Sequence, residues 1–476
     1  MHPVLHRHLD QRRGADRDPA RGGGPLTAAA ATRASFQPLP VLEGRSRRQP
    51  IAVSGDRAPR VHLWQVGCQM NTADTGQLAE QFAEIGLVPG VALPEADLAV
   101  LVTCAVRQHA EDKAASKIGE LALWKRERGG RAIAVTGCMA AEHGPALLTR
   151  FPAIDYVFDV REPDGFFARV RELYAGALEG PVPLPAGDQL CAYVPVIHGC
   201  NEMCTYCIVP FVRGRERSRA VADIVAEVGR LVARGVREVT LLGQNVNSYE
   251  DPRSAADLAA LMAEVDRVPG LWRQRFLTSH PRNASPRLLA AIAELPTVCE
   301  QLHLPVQSGS DSCLGRMKRE YRVADYERTL EAARARVPGL ALSTDIIVGF
   351  CGETEAEFLA TLRLLERVAY DVVHVQAYSP RPGTAAWRRP DDVPLAVKKE
   401  RLQQVLALQR SISERRNRAL VGTAVEVLVE GHGADDGRPY GRTRQGRVTW
   451  LGRPAAVGEL APGTVTGATA WQLVAA

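Results

Sequence analysis

Two blocks of alternating strand and helix patterns, followed by an all-strand tail, limit the folds that this chain can adopt. The first block begins at Val61 with RVHLWQVGC and continues with ADLAVLVTC and RAIAVTGC, and helical patterns separate these strands. In the second block, from Cys191 to about Arg418, six strand candidates alternate with amphipathic helices. Such alternation predicts α/β architecture, with a parallel sheet first and an open or partial (β/α) barrel second.

The tail after about Val421 has short alternating strands between Gly-rich turns, which predicts a small all-β, OB-like barrel of a kind that often binds RNA. The first residues are rich in Arg, Gly and Pro and too poor in apolar residues to fold. We therefore divide the chain into a disordered extension (1–58), an N-terminal α/β domain (59–177), a Pro/Gly-rich linker (178–189), the barrel domain (190–418) and the all-β domain (419–476).

Composition excludes some classes of protein and leaves others open. The sequence has no run of eighteen apolar residues, so we expect no membrane-spanning helix. Lys and Arg number 59 against 54 Asp and Glu, a formal net charge of +5, which permits a polyanionic partner without requiring one. Ten cysteines are too few for a disulfide scaffold in 476 residues, so their clustering matters more than their number.

The strongest local signal is the segment HGCNEMCTYC, in which Cys200, Cys204 and Cys207 have the spacing C-x3-C-x2-C directly after a predicted strand. Three thiolates in one loop can bind an iron–sulfur cluster and leave one iron open. A structural zinc site is the alternative, but it normally takes four protein ligands and paired C-x2-C motifs. No fourth ligand lies at a zinc-like spacing here, so the pattern favours the cluster.

Three further cysteines each lie where a predicted strand of the first block ends: Cys68, Cys104 and Cys138. Neighbouring strands of a parallel sheet end at the same edge, so these three thiols can meet there. A single cysteine at a strand end is more often a small buried apolar residue, but three in succession favour a second cluster with three protein ligands. The remaining cysteines, Cys191, Cys299, Cys313 and Cys351, lack such partners, and we interpret them as structural.

The two cysteine sets in this order, with a β-barrel tail, resemble the methylthiotransferase family of radical S-adenosylmethionine enzymes over about residues 60–476. The segments GCQMN, TCAVR, LLGQNVNSY, RFLTSHP, LHLPVQSGSD, STDIIVGF and YSPRPGT are similar to the branch that modifies prenylated adenosine in tRNA. The sequence departs from the family pattern at Val102, His198 and Cys351, where Asn, Glu and Pro are usual. None of these departures removes a predicted cluster ligand.

The resemblance implies a radical-SAM barrel flanked by an N-terminal methylthiotransferase domain and a TRAM-like tail, with two [4Fe–4S] clusters and S-adenosylmethionine as cofactors. At Cys200, Cys204 and Cys207, one S-adenosylmethionine would yield a 5′-deoxyadenosyl radical, and a second would donate a methyl group. The cluster of Cys68, Cys104 and Cys138 would carry or donate sulfur. The implied reaction is methylthiolation at C2 of N6-dimethylallyladenosine next to the anticodon.

Side chains at the predicted strand ends are candidates for contacts with S-adenosylmethionine. Amides at the carboxyl rim of a barrel can bind a ribose or a carboxylate without adding charge, and an apolar pair on a strand could lie beside the adenine. The alternatives are polar capping of the next helix and ordinary core packing. The predicted cofactor-binding residues are Tyr206, Gln244, Asn245, Gln307, Ser308, Ile347 and Val348.

Arginines predict a surface for RNA. Arg213 and Arg215 follow the cysteine loop in VRGRERSR, and Arg442, Arg444 and Arg447 lie in the tail, where they could bind phosphates from one face. An exposed basic face without a ligand is the alternative for the arginines that follow the cysteine loop. The family resemblance favours RNA for at least some of these residues.

We expect a monomeric, cytoplasmic enzyme, because two iron–sulfur clusters need a reducing compartment. Its predicted partners are tRNA with a prenylated anticodon stem–loop and a reduced flavodoxin or ferredoxin as electron donor, with no membrane contact. Two other classes of function stay open. The enzyme could act on threonylcarbamoyl-adenosine in tRNA or on a ribosomal protein, although Gln69-Met70 argues mildly against both. A non-enzymatic RNA-binding protein with structural metal would not need two sets of only three cysteines.

Overall fold

The computed structural model describes residues 39–44, 57–106, 108–184 and 189–476. The mixed α/β architecture predicted from the sequence is confirmed, with a closed β-barrel at the carboxyl end. Most of the predicted extension over 1–58 lies outside the described residues. No helix within the described ranges is long and apolar enough to cross a membrane.

The N-terminal domain contains a six-stranded sheet in the order β1-β6-β5-β4-β2-β3, in which all neighbours are parallel except β1 and β6. Its strands are β1 (Leu42–Glu43), β2 (Arg60–Gln65), β3 (Val88–Pro89), β4 (Leu98–Thr103), β5 (Ala132–Gly137) and β6 (Tyr156–Val157). Its helices are α1 (Gln69–Glu84), α2 (Gln108–Glu127), α3 (Cys138–His143), α4 (Pro145–Arg150) and α5 (Asp164–Leu173), with a 3-10 turn at Leu93–Glu95. Strands β4 and β5 are buried along their whole length, because both faces of the sheet carry a hydrophobic core.

Strand β1 lies within residues 1–58, which the sequence predicts to be a disordered extension. The prediction of disorder is therefore wrong for this strand. It pairs antiparallel with β6, Leu42 opposite Val157 and Glu43 opposite Tyr156, and nearby the backbone N–H of Leu39 donates to Asp159 at 3.0 Å. Two residues are too few to produce a detectable period in a sequence, so the pattern could not reveal this strand.

The central domain is an open barrel of six parallel strands in two sheets, β11-β10-β7 and β12-β13-β14, which a parallel bridge between Gln274 and Val298 brings together. The six strands are β7 (Cys191–Pro195), β10 (Glu238–Leu242), β11 (Arg273–Phe276), β12 (Gln301–His303), β13 (Ala341–Val348) and β14 (Val372–Ala377), and the short pair β8 (Ile197–His198) and β9 (Arg217–Ser218) lies at the rim. The predicted partial (β/α) barrel is thereby confirmed.

Helices cover the outside of this barrel. They are α6 (Val209–Val212), α7 (Val221–Ala233), α8 (Leu258–Asp266), α9 (Pro286–Glu294), α10 (Asp311–Arg316), α11 (Val323–Arg336), α12 (Glu355–Val368) and α13 (Leu395–Arg418), with 3-10 turns at Val246–Ser248, Pro281–Asn283 and Ala386–Arg388. Thr354 shows why a helix begins where it does: its hydroxyl accepts from the Glu357 N–H, and the Glu357 carboxylate accepts from the Thr354 N–H. Helix α13, with 24 residues, closes the domain.

The tail is a closed barrel in the order β15-β16-β17-β19-β18, formed by β15 (Ala424–His432), β16 (Pro439–Thr443), β17 (Val448–Leu451), β18 (Leu460–Ala468) and β19 (Leu473–Ala475). It packs against the amino-terminal ends of the central strands. Two buried arginines of β11 reach it: Arg273 donates to the carbonyl of Arg442 at 2.7 Å, and Arg275 donates to the carbonyl of Thr443 at 2.9 Å. These bonds satisfy barrel carbonyls that would otherwise be buried without donors.

Candidate metal centres

Cys68, Cys104 and Cys138 lie together at the carboxyl edge of the N-terminal sheet. The register aligns Gln65 of β2 with Val102 of β4, and Thr103 of β4 with Gly137 of β5, so the three strands end at one edge. A Cβ at Gly67 would lie 2.6 Å from the Cβ and 3.0 Å from the Sγ of Cys104. Only glycine allows the Cys68 loop this close to Cys104, with a φ of +128° that also favours glycine.

The environment of these thiols suits thiolates bound to a metal. Burial is the main cause that raises the pKa of Cys104 to about 12, and it raises the pKa of Cys138 as well. The Val106 N–H donates to the Sγ of Cys104 at 3.4 Å, and the Nε of Arg213 donates to the Sγ of Cys138 at 3.4 Å. Without a metal such thiols stay protonated at neutral pH, so positive iron is needed to hold them as thiolates.

The second set lies in the loop that follows β8. Gln244 accepts from the Gly199 N–H, and the Cys200 N–H donates to the Gly214 carbonyl at 3.1 Å, which fixes the start of the loop. Its end turns tightly, with the Cys207 N–H donating to the Cys204 carbonyl at 3.0 Å. Burial is the main cause that raises the pKa of Cys200 and of Cys207 to about 12.

The spacing of the thiols fits a cluster better than a single zinc ion. Among the described residues, only Glu111, Glu142 and His143 bring three metal-ligating atoms within 4.8 Å of one another, so neither cysteine set does. Tetrahedral zinc with bonds of about 2.3 Å would hold its sulfur ligands closer together than that. Three wider-set thiols without a fourth protein ligand fit an iron–sulfur cluster with one open iron.

The two cysteine sets are neighbours. Ile208, which directly follows Cys207, and Val212 at the end of α6 pack into a hydrophobic core of the N-terminal domain that includes Cys138. The thiols of Cys207 and Cys138 are close enough to interact electrostatically. The fold thus brings cysteines that are far apart in sequence to one site between two domains.

Arg213 occupies that junction, and the prediction that it binds RNA is wrong. Its side chain is only 3% exposed; it lies 2.7 Å from the Asp74 carboxylate and donates to the Asn71 side chain at 2.8 Å. It also contacts Cys138, and its Nη1 is buried without a hydrogen-bond partner. A guanidinium in this position cannot reach a phosphate in solution. The adjacent Arg215 is exposed, and its role in RNA binding stays a prediction.

Arg319 is a comparable residue that the sequence did not reveal. Its Nη1 lies 3.6 Å from the Sγ of Cys204, its Nη2 donates to the Pro305 carbonyl at 2.7 Å, and its Nε donates to the Tyr321 hydroxyl at 2.9 Å. Each cysteine set therefore has one buried arginine against one sulfur. No sequence signal identifies Arg319, because it lies 115 residues from its thiol.

Two of the three predicted tail arginines fasten the tail barrel to the central domain. Arg444 binds Glu300 at 2.8 Å, Arg447 pairs with Asp371, and Arg442 pairs with Glu430 at 3.0 Å. Glu300 and Asp371 belong to the central domain, so two of these pairs bridge domains. The prediction of a free RNA surface is wrong for Arg444 and Arg447, because carboxylates of the central domain occupy their guanidinium groups. Arg442 is 44% exposed, and its contact with RNA stays a prediction.

Arg444→Gln should weaken the attachment of the tail barrel. Loss of the ion pair and of the bonds to the carbonyls of Pro296 and Val298 should lower the free energy of unfolding by about 1–3 kcal/mol, measured by thermal or denaturant unfolding. Arg438→Gln is the matched control, because Arg438 pairs with Asp436 on the surface of the barrel. This variant should change the free energy of unfolding by less than about 1 kcal/mol. If Arg444→Gln instead lowered the slope of log tRNA affinity against log salt by about one unit, Arg444 would contact RNA.

The predicted cofactor-binding residues divide into two groups. Tyr206 and Ile347 are partly exposed and pack beside Phe350, whose ring centroid lies 6.4 Å from that of Tyr206. Asn245 donates to Glu216 at 3.2 Å, while its Oδ1 is buried without a partner and can accept from a ligand. These three residues keep atoms or surface available beside the cysteine loop.

The other four are engaged elsewhere, at least in part. Val348 is fully buried in the barrel core, so the prediction that it lies beside an adenine is wrong. The Ser308 hydroxyl is buried against Thr361 and accepts from the Ser310 N–H at 3.3 Å, so it cannot contact a ligand as predicted. Gln244 holds Gly199, and the backbone of Gln307 pairs with β13; cofactor contacts of these two stay predictions.

Comparison with known proteins agrees with this geometry. Residues 194–365 match the model of the Radical SAM superfamily, and residues 60–159 match that of the Uncharacterized protein family UPF0004. The chain is 42% identical over 417 residues to tRNA-2-methylthio-N(6)-dimethylallyladenosine synthase of Carboxydothermus hydrogenoformans, covering 84% of this chain and 95% of that protein. Identity to the enzyme of the same name from Moorella thermoacetica is 42% over 424 residues, covering 86% and 96%.

Among solved structures, the fold is similar to that of the radical S-adenosylmethionine methyltransferase TsrM from Kitasatospora setae. The TM-score is 0.53 at 15% sequence identity, over 69% of this chain and 77% of that one. At this identity the likeness concerns the fold alone.

Proposed function

The chain belongs to the methylthiotransferase family of radical S-adenosylmethionine enzymes, and from that premise we propose that it methylthiolates C2 of N6-dimethylallyladenosine next to the anticodon in tRNA. It is an enzyme with two [4Fe–4S] clusters, and S-adenosylmethionine is both methyl donor and radical source. The observation that carries the proposal is Arg213, which follows one cysteine set in the chain and contacts a thiol of the other. Such closeness is what transfer between two centres requires.

Cys200, Cys204 and Cys207 would hold one cluster, which would supply the electron for cleavage of S-adenosylmethionine. Cys68, Cys104 and Cys138 would hold the other, which would supply a site for sulfur. The protein's own residues orient the reactants and exclude water. Tyr206 and Ile347 offer an apolar wall for the adenosyl group, and the unpartnered Oδ1 of Asn245 can accept a hydrogen bond from it. The buried guanidinium groups of Arg213 and Arg319 offset the negative charge of the thiolates.

We extend the proposal to partners and location. A reduced flavodoxin or ferredoxin would be the electron donor, and the enzyme would act as a monomer. It would lie in the cytoplasm, because iron–sulfur clusters need a reducing compartment. The exposed Arg215 would contact phosphate near the reactive site.

Substrate choice tests the proposed function. A site that buries the five-carbon prenyl group gains about 0.8 kcal/mol per methylene-sized group, or roughly 3–4 kcal/mol, a preference of a few hundredfold over unmodified adenosine. A threonylcarbamoyl group carries a carboxylate that would be costly to bury unpaired. We expect turnover of the prenylated anticodon stem–loop and little or none of the other two, with reconstituted enzyme, dithionite and S-adenosylmethionine.

The three RNAs should share one nucleotide sequence, so that only the group on N6 differs. Preferential turnover of the threonylcarbamoylated RNA would assign the chain to the neighbouring branch of the family. Cleavage of S-adenosylmethionine without product on any of the three would contradict a tRNA substrate.

A further inference from the structure

The segment after β14 crosses from one cysteine set to the other. Arg381, near its start, donates to the Val106 carbonyl at 3.2 Å, just after Cys104, and to the Glu111 carboxylate at 3.1 Å. Five residues later, the Ala386 N–H donates to the Thr205 carbonyl at 2.7 Å, between Cys204 and Cys207. A base that reacts between the two centres must therefore lie close to this segment.

Thr205 anchors a second segment as well. Its N–H donates to the Met317 carbonyl at 3.0 Å, and its hydroxyl donates to the Arg316 carbonyl at 2.9 Å. The residues that follow both anchors are exposed and form a group that we call the cationic rim: Lys318, Trp387, Arg388 and Arg389.

The cationic rim combines one exposed aromatic side chain with three cationic side chains. Trp387 is 47% exposed, although most large apolar side chains of the domain are buried. Within the described residues, Lys318, Arg388 and Arg389 form no ion pair. Of the nearby carboxylates, Asp391 pairs with Lys398, and Asp392 accepts from the Gly352 N–H without an ion pair to the rim. Three cations without an ion-pair partner thus lie on the same two segments as one exposed indole, and both segments are anchored at Thr205.

We propose that the cationic rim binds the unpaired anticodon-loop nucleotides that flank the modified adenosine, an inference that rests on the proposed function. Trp387 stacks on a neighbouring nucleobase, and the three cations contact the adjoining phosphates. An aromatic ring among unpaired cations is the combination that binds single-stranded RNA, because every base has a stacking face and every nucleotide a phosphate. The guanidinium groups of Arg444 and Arg447, by contrast, hold the tail against the central domain.

Binding of a labelled anticodon stem–loop carrying N6-dimethylallyladenosine to the reconstituted holoenzyme tests this surface. Trp387→Ala should weaken binding roughly 5- to 150-fold, the range for loss of one stacked base, and Trp387→Phe should restore most of it. Arg388→Gln with Arg389→Gln should lower the slope of log affinity against log salt by about 0.7 for each lost contact. Iron content and the thermal midpoint establish that each variant is folded and loaded.

Two exposed residues elsewhere serve as matched controls. Trp471, 68% exposed in the tail, and Arg410, exposed on α13, should tolerate Trp471→Ala and Arg410→Gln with unchanged RNA affinity. If the wild-type enzyme binds the stem–loop and the rim variants bind it equally well, the rim is not the RNA surface. If those variants instead slow reduction by flavodoxin but not by dithionite, the rim binds the protein donor, and our inference is overturned. A wild-type enzyme that fails to bind the RNA would overturn the proposed function itself.

Discussion

Cys200→Ala should abolish reductive cleavage of S-adenosylmethionine, whereas Cys68→Ala should leave that cleavage largely intact and stop insertion of sulfur. Cys200 is one of three thiols in the loop after β8, and a cluster with an open iron cannot assemble on two ligands. Cys68 belongs to the other domain and the other set, at the amino end of α1. Chromatography of 5′-deoxyadenosine and of the methylthiolated nucleoside measures the two activities separately.

Iron analysis gives an independent measure of the same division. Two complete clusters hold roughly eight iron atoms per chain, and each variant should retain roughly four. Cys191→Ala is a suitable control, since Cys191 lies at the start of β7, outside both sets, and should keep both clusters and both activities. Formation of the methylthio product by Cys68→Ala at the wild-type rate would show that the two-cluster assignment is wrong.

The placement of these cysteines could be predicted because it depends only on topology. Strands that end in a cysteine and run parallel must bring the cysteines to one edge, whatever the side chains around them. The six strands of the central barrel and the all-β tail could be predicted from the alternation of apolar and polar residues. The prediction needed neither the register nor the packing, and the observed register of β2, β4 and β5 agrees with it.

The partners of charged residues could not be predicted in this way. The sequence shows Arg213 in a run of exposed-looking arginines, yet Asn71, its hydrogen-bond partner, lies 142 residues away. Arg444 likewise meets Glu300 across 144 residues. A local charge pattern carries no information about such contacts, because the fold and not the sequence spacing selects the partner. The prediction for Val348 is wrong for a different reason. Successive residues of a strand face opposite sides, so in β13 Ile347 faces one side and Val348 the other.

Breaking the ion pair between Arg213 and Asp74 should destabilise the enzyme strongly. Both side chains are buried at the junction of two domains, with exposed fractions of 3% and 2%. Asp74→Asn removes the charge that balances Arg213, and Arg213→Gln leaves the carboxylate unbalanced. Breaking a buried pair from one side costs about 3–5 kcal/mol, because an uncompensated charge stays buried. Each single variant should therefore lower the thermal midpoint of the holoenzyme by roughly 6–20 °C.

The double variant Asp74→Asn/Arg213→Gln should be more stable than either single variant, because two neutral amides can bond to each other without an unbalanced charge. Arg217→Gln is the matched control: Arg217 also reaches the N-terminal domain, at Glu162, but the pair is 70% and 54% exposed and should contribute less than about 1 kcal/mol. If Arg213→Gln left the midpoint unchanged and instead reduced the salt dependence of tRNA binding, Arg213 would contact RNA as its sequence context predicts. The assignment of a buried ion pair between Arg213 and Asp74 would then be wrong, and so would the close approach of the two cysteine sets.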